Sequence, residues 1–183
     1  MLAIISAPGS RGDVNPMIAI GSQLRRLGVD VVISVAESYA HIARAADLHV
    51  EPVIDRDRFD ELLGNPHVWK PIRGARVILS QVASEFLPLH DEVIRRHHRP
   101  GQTVLVSHPL DFASRIHRDL DPSTPLVNVH LAPSILRTYD CPPRLSPWWF
   151  EFSRPAWAVR AGYLAADLLA VDPTVRKPVN RLR

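Results

Sequence analysis

The stretch that most constrains the fold is Ile4-Ile5-Ser6-Ala7-Pro8-Gly9-Ser10-Arg11-Gly12-Asp13-Val14-Asn15-Pro16. A short apolar run of strand type stops at Pro8-Gly9, and a second glycine, a carboxylate and a helical pattern of apolar residues follow. Strand, glycine turn and helix in that order form the junction at which an α/β chain leaves its sheet. Ligands of such folds bind beyond the carboxyl ends of the strands, near helix N-termini. Asp13 stands at that place and is a candidate catalytic group. A purely structural role, as N-cap of the helix, is the plainer reading.

The rest of the chain repeats the alternation. Residues 2–7 read as a buried strand, and 14–27 as a helix with Asp13 as N-cap, Pro16 in the first turn and Gly28 as the stop. Met17, Ile20, Leu24 and Leu27 mark its buried stripe. Residues 29–35 read as a β-branched strand, completing a right-handed βαβ unit and hence a parallel sheet. Helices at 38–46 and 56–63 flank a strand at 48–53. A long helical pattern runs over 76–98, with Pro88 as kink or boundary. Strands are expected at 103–107 and 126–130, with a helix at 110–120 between them. Residues 131–147 hold four prolines and read as a loop. Residues 148–171 read as a helix with Pro155 as a break or new first turn. The predicted class is a doubly wound, Rossmann-like α/β domain.

Charge and composition exclude several classes. The net charge of +3 resides in Arg176, Lys177, Arg181 and Arg183, without which the chain carries −1, so no basic nucleic-acid face is expected. A single cysteine, Cys141, rules out an internal disulfide and points to a reducing compartment, so a cytoplasmic location is expected. The apolar stretch at 148–171 is interrupted by Glu151, Arg154, Arg160 and Asp167 and is no membrane span.

The glycine turn lacks the third glycine of a dinucleotide fingerprint and the Gly-Lys-Ser/Thr of a P-loop. Arg11-Gly12-Asp13 also spells an adhesion tripeptide, but residues 1–7 lack a basic n-region and are too short to read as a signal peptide, so an adhesion role is not expected. His108 and His130 each end an expected strand and should share the cleft edge with Asp13, so an Asp13–His108 pair is expected. His97-His98 reads as a solvated helix end, since no carboxylate or cysteine stands at ligand spacing to it, and no metal site is expected. Trp69, Trp148, Trp149 and Phe150 suit an apolar acceptor pocket or a membrane-facing patch, and equally a packed helix face.

Residues 9–21, followed by Leu24 and Gly28, resemble the opening of nucleotide-sugar glycosyltransferases of the two-domain GT-B fold, in particular the bacterial sterol and antibiotic glucosyltransferases. Gly64-Asn65-Pro66-His67-Val68-Trp69-Lys70-Pro71, Leu131-Ala132-Pro133-Ser134 and Cys141-Pro142-Pro143 with Pro147 are similar to the catalytic chain of rhamnolipid rhamnosyltransferases and their relatives. The resemblance covers essentially the whole chain, as the N-terminal half of such an enzyme. It implies an acceptor-binding domain over residues 1–171, with residues 172–183 entering an interdomain linker.

The implied reaction is an inverting transfer of a hexosyl group from a UDP- or dTDP-linked sugar to a hydroxyl of a lipid or other apolar acceptor. Asp13 is the implied general base, and one base suffices because the leaving diphosphate already carries stabilised charge. His108 is the implied partner of that base. Gly9, Ser10, Arg11, Gly12, Asn15, Trp69, His130 and Ser134 are the implied acceptor-side residues. The family's donor-binding domain has no counterpart here, as only Gly101 and Gly162 follow residue 74. The chain alone is therefore expected to be inactive and to need a separate C-terminal domain or a second copy. A non-catalytic or split-enzyme binding module is the alternative. A glycolipid acceptor would place the protein at the inner face of the membrane.

Overall fold

The computed structural model describes residues 1–132, 136–140 and 155–183. Five strands, β1 (Leu2–Ala7), β2 (Asp30–Ala36), β3 (His49–Ile54), β4 (Thr103–Ser107) and β5 (Leu126–Asn128), form one sheet in the order β3-β2-β1-β4-β5. All neighbouring pairs run parallel. The strands at the centre of the sheet are covered on both faces, which is why Leu2 to Ala7 is an unbroken apolar run apart from Ser6. Pro52 sits in β3, at the edge of the sheet, where a missing N–H costs least.

Successive side chains of β1 point to opposite faces and feed two cores. Ala3, Ile5 and Ala7 pack with Val14, Met17 and Ile18 of helix α1 (Arg11–Arg26) and with Ala40 and Ala43 of α2 (Glu37–Ala45). Leu2 and Ile4 pack instead with Phe86, Leu87, Ile94, Ala113 and Ile116. The chain runs outward from β1 to β2 on one side, then returns to lay β4 on the other. The carboxyl ends of β1 and β4 therefore flank the point where the strand order reverses, and a crevice opens there.

Helix α1 differs from expectation in three ways. Ser10, not Asp13, is its N-cap, so Asp13 lies in the third helical position, and Pro16 lies inside the helix rather than in its first turn. Leu27 is 79% exposed; the buried face is Val14, Met17, Ile18 and Gly21. Gly21 sets that rotation, because a Cβ there would stand 3.0 Å from Leu48 Cδ1 and 3.2 Å from Ile5 Cδ1, so the helix backbone lies directly on the sheet.

After α3 (Arg56–Gly64), the long helical stretch begins at Pro71, five residues before the expected start. It consists of α4 (Pro71–Gln81), a π-helical turn at Val82–Phe86 and α5 (Leu87–His97). Pro88 explains the interruption. It has no N–H for the Ser84 carbonyl, and the ladder widens at this point, with the Leu87 N–H reaching the Val82 carbonyl five residues back.

Helix α6 (Ala113–Leu120) starts three residues later than expected, because residues 108–112 form a turn closed by the Asp111 N–H on the His108 carbonyl. β5 is also shorter than expected, so His130 lies beyond the strand, exposed. Pro155 caps α7 (Ala156–Ala166), which continues through a π-helical turn (Asp167–Val171) into α8 (Asp172–Leu182). Val179 and Leu182 of α8 pack against the second core, so residues 172–182 are a docked helix. Among the described residues, no helix is long and apolar enough to cross a membrane.

Candidate active site

The turn after β1 and the turn after β4 meet at the crevice. Gly9 adopts φ +133°, a conformation that side chains rarely tolerate, and a Cβ there would stand 2.5 Å from Asp13 Oδ2. The glycine thus lets the backbone fold over the carboxylate. Ser10 donates its N–H to Asp13 Oδ2 at 2.9 Å and its hydroxyl at 3.2 Å. This is the reciprocal half of a capping box, and it holds the carboxylate at the N-terminus of α1. Gly9→Ala should push the carboxylate out of this cradle; a loss of thermal stability together with loss of whatever reaction Asp13 serves is the expected result, read by melting and by activity.

The other oxygen, Asp13 Oδ1, lies 3.3 Å from His108 Nε2. His108 is fixed from three sides. Its N–H donates to Ser6 Oγ at 3.0 Å, its Nδ1 accepts the Leu110 N–H at 3.2 Å, and its ring is almost wholly buried. A backbone N–H on Nδ1 forces the ring proton of the neutral imidazole onto Nε2, facing Asp13. Nε2 completes no well-aligned hydrogen bond, so its proton lies beside the carboxylate rather than seated on it. The contact with His108 lowers the Asp13 pKa most; partial burial opposes it, and the Ser10 contacts lower it further. Asp13 is ionised at neutral pH.

Exposure separates the roles open to the pair. The Asp13 side chain is 34% exposed and that of His108 3%, so only Asp13 presents its functional group to a ligand in the crevice.

Beneath the pair lies a buried polar network that the sequence reading missed. His90, on α5, places Nδ1 2.8 Å from Ser34 Oγ, with Nε2 3.5 Å from Asp111 Oδ2 and 3.4 Å from Ser114 Oγ. Asp111 also accepts the Ser114 N–H at 3.0 Å. His90, Asp111, Ser6, Ser34 and Ser114 are all fully buried. Burial pushes the Asp111 pKa up, but the charge and hydrogen bond of His90, with the bonds from Ser114 and Ser6, overcome it and hold Asp111 below its ordinary value. Ser6 links the two levels, because its hydroxyl accepts the His108 N–H and also bonds to Asp111. The available sequence signal was the place of His90 on the apolar stripe of Phe86, Leu87, Val93 and Ile94.

The other expected residues are placed less uniformly. Ser10, Arg11, Gly12 and Asn15 are exposed around the start of α1. Trp69 stands on the turn between α3 and α4, exposed, with its indole N–H donating to the Leu63 carbonyl. Ser134, Cys141, Trp148, Trp149 and Phe150 lie outside the described residues.

The expectation for His97-His98 is overturned. Their side chains are 23% and 12% exposed, and folding brings carboxylates to both: Glu51 Oε1 lies 2.6 Å from His97 Nε2, and Asp121 Oδ2 3.9 Å from His98 Nε2. These carboxylates are distant in sequence, so no local spacing announces them.

No family model and no curated protein sequence matches this chain. Solved structures do match it in shape. The glycosyltransferase of kitacinnamycin superposes with a TM-score of 0.54 at 18% identity, covering 72% of this chain and 30% of that one. The glycosyltransferase SsfS6 of Streptomyces sp. SF2575, solved with thymidine diphosphate, gives 0.54 at 15% identity over 70% of this chain and 38% of that one. SnogD, a glycosyltransferase of Streptomyces nogalater, gives 0.53 at 17% identity over 73% and 34%. The chain thus spans about a third of the length of the solved structures it matches. Its fold is the Rossmann-like α/β fold that these glycosyltransferases share with it over that third.

Proposed function

We propose that this chain is the acceptor-binding half of an inverting glycosyltransferase, with Asp13 as general base. The observation that carries the reading is the Asp13–His108 pair at the strand-order reversal, where the solvent-facing member is a carboxylate held ionised. In the reaction the acceptor hydroxyl oxygen attacks the anomeric carbon from the face opposite the leaving group. The bond from that carbon to the diphosphate oxygen breaks with its electron pair, and the hydroxyl proton passes to Asp13. A carboxylate of low pKa is a weak base toward an alcohol, so proton transfer accompanies bond formation rather than preceding it.

His108 acts through Asp13. Its Nε2–H lies beside Oδ1 and holds the carboxylate in one orientation, leaving a free lone pair toward the crevice. Lipid or polyketide-like hydroxyl compounds are the proposed acceptors, and a UDP- or dTDP-sugar the proposed donor. The thymidine diphosphate held by SsfS6 supports the second choice.

The test is transfer by this chain combined with a donor-binding α/β half, assayed against a panel of nucleotide sugars and apolar acceptors. Absence of transfer together with tight binding of a dinucleotide by the chain alone would replace this reading with that of a nucleotide-binding domain. A binding module without turnover is the second reading. It draws on the exposed Trp157, Leu164, Leu168 and Leu169 of the α7 segment, an apolar surface of the kind that docks a partner. Binding of acceptor without transfer in every combination would favour it.

His108→Gln separates positioning from mere packing. Expected is a loss on the order of 10–100-fold in kcat, the consequence of an ångström-scale misplacement, with little change in acceptor KM. Unchanged turnover in a folded variant would remove His108 from the site.

A further inference from the structure

We propose that His98, His117 and Asp121 form a binding site for a divalent transition metal of the zinc type, joining the end of α5 to the end of α6. The three side chains offer ligand atoms that all lie within 4.8 Å of one another. His98 is the C-cap residue of α5, and its Nε2 stands 2.9 Å from Thr124 Oγ1 and 3.9 Å from Asp121 Oδ2. His117 and Asp121 are four residues apart at the close of α6, which sets them on one face. The His98 and His117 rings meet edge to face with centroids 4.5 Å apart.

The observation that asks for a ligand is His117 Nε2. It is buried and has no hydrogen-bond partner. A buried ring nitrogen without a partner is uncommon, and a metal ion is one of the few species that satisfies such an atom without a donor proton. Two imidazoles and a carboxylate are a donor set suited to zinc, cobalt or nickel. Bond lengths of about 2.0–2.2 Å would put the ligand atoms roughly 3.3–3.5 Å apart, so no pair in the cluster needs to close by more than about 1.5 Å.

The carboxylate is already oriented for this. Asp121 Oδ1 accepts the Ser123 N–H at 3.1 Å and its hydroxyl at 2.5 Å, and Oδ2 accepts the Thr124 hydroxyl at 2.6 Å. Such outer hydrogen bonds fix the aim of a ligating oxygen. Three protein ligands leave one position for water or for the Thr124 hydroxyl. The site lies at the end of the sheet opposite the Asp13 crevice, so its role is to staple two helices and not to take part in the reaction.

A second cluster, His49, Glu51 and His97, serves as the internal control. There the carboxylate is already taken: Arg96 Nη1 stands 3.3 Å from Glu51 Oε2, and His97 Nε2 2.6 Å from Oε1. An arginine on the carboxylate repels a cation.

The test is a titration of chelator-stripped protein with Zn²⁺ and with Co²⁺, by calorimetry and visible absorption. One equivalent bound, a tetrahedral Co²⁺ spectrum and a raised melting temperature are expected. His117→Gln and Asp121→Asn should each weaken binding by about 10-fold or more, while His97→Gln leaves it unchanged. Should a variant fail to fold, Co²⁺ added to the unmodified protein still decides: the imidazole proton resonances of His98 and His117 should shift and broaden while those of His49 persist. No binding, binding lost in His97→Gln, or broadening confined to His49 and His97 would overturn the proposal.

Discussion

Asp13→Asn is expected to lower transfer by about 10²–10⁴-fold in kcat, the usual contribution of a positioned general base. Asparagine keeps the shape of the side chain and an oxygen for the Ser10 N–H, so the capping contact and the fold should persist. What it removes is the lone pair of a charged oxygen at the mouth of the crevice. Acceptor KM should move by no more than a few-fold, because the lost interaction matters only as the proton transfers. The pH profile gives a second, independent reading. The Asp13 pKa is lowered, most by its contact with His108, so the base is fully ionised across the neutral range and activity should fall only as pH descends below the ordinary carboxylate range. If His108 were the base, Asp13→Asn would cost far less and the acid limb would not follow the carboxylate. Rates of the unmodified protein and the variant from pH 4 to 8 distinguish the two.

The parts of this site that sequence made legible are those set by local rules. A glycine after a buried strand, and a polar residue where a strand stops, lie at the same edge of any parallel sheet, so Asp13 and His108 could be expected together although 95 residues separate them. The assignment of Asp13 as N-cap failed for an equally physical reason. Ser10 and Asp13 form the two ends of one capping box, and the pattern Ser-x-x-Asp reads as an N-cap from either end unless the glycine turn is resolved. Pro88 was visible as a break but not as a π-helical turn, because which carbonyl loses its partner depends on how α4 and α5 are held by the second core.

Side-chain partners across the sheet were not legible at all. His90 meets Ser34 and Asp111 from three separate elements. Glu51 and Asp121 reach His97 and His98 only after the ends of α5, β3 and α6 are packed together. Periodicity tells which face a residue occupies and says nothing of what it finds there.

His90→Ala should be strongly destabilising, because it leaves a wholly buried carboxylate without the imidazole that faces it at 3.5 Å and helps hold its pKa down. Leaving a buried charge without its compensating partner costs about 3–5 kcal/mol. That is a large part of a total stability of about 5–15 kcal/mol and predicts a drop in melting temperature of roughly 10 °C or more. The sign of the pH dependence follows from Asp111, whose pKa is lowered in the folded state. A lowered carboxyl pKa contributes stability that is complete above the unfolded value of ~3.9 and is lost as pH falls through the folded value. In His90→Ala the opposing effect of burial is left in command and raises the Asp111 pKa. The variant should therefore recover part of its deficit as acid protonates Asp111, so that the gap between the two proteins is wide at pH 7 and narrows toward pH 4. Urea unfolding at both pH values measures it. Replacing His90 and Asp111 together by leucine should cost much less than His90→Ala alone, since apolar side chains of similar size leave no charge to solvate. A single-variant loss below about 1 kcal/mol would mean that Ser6 and Ser114 suffice to hold the carboxylate. The His108 turn would then owe its place to backbone contacts and not to the pair beneath it.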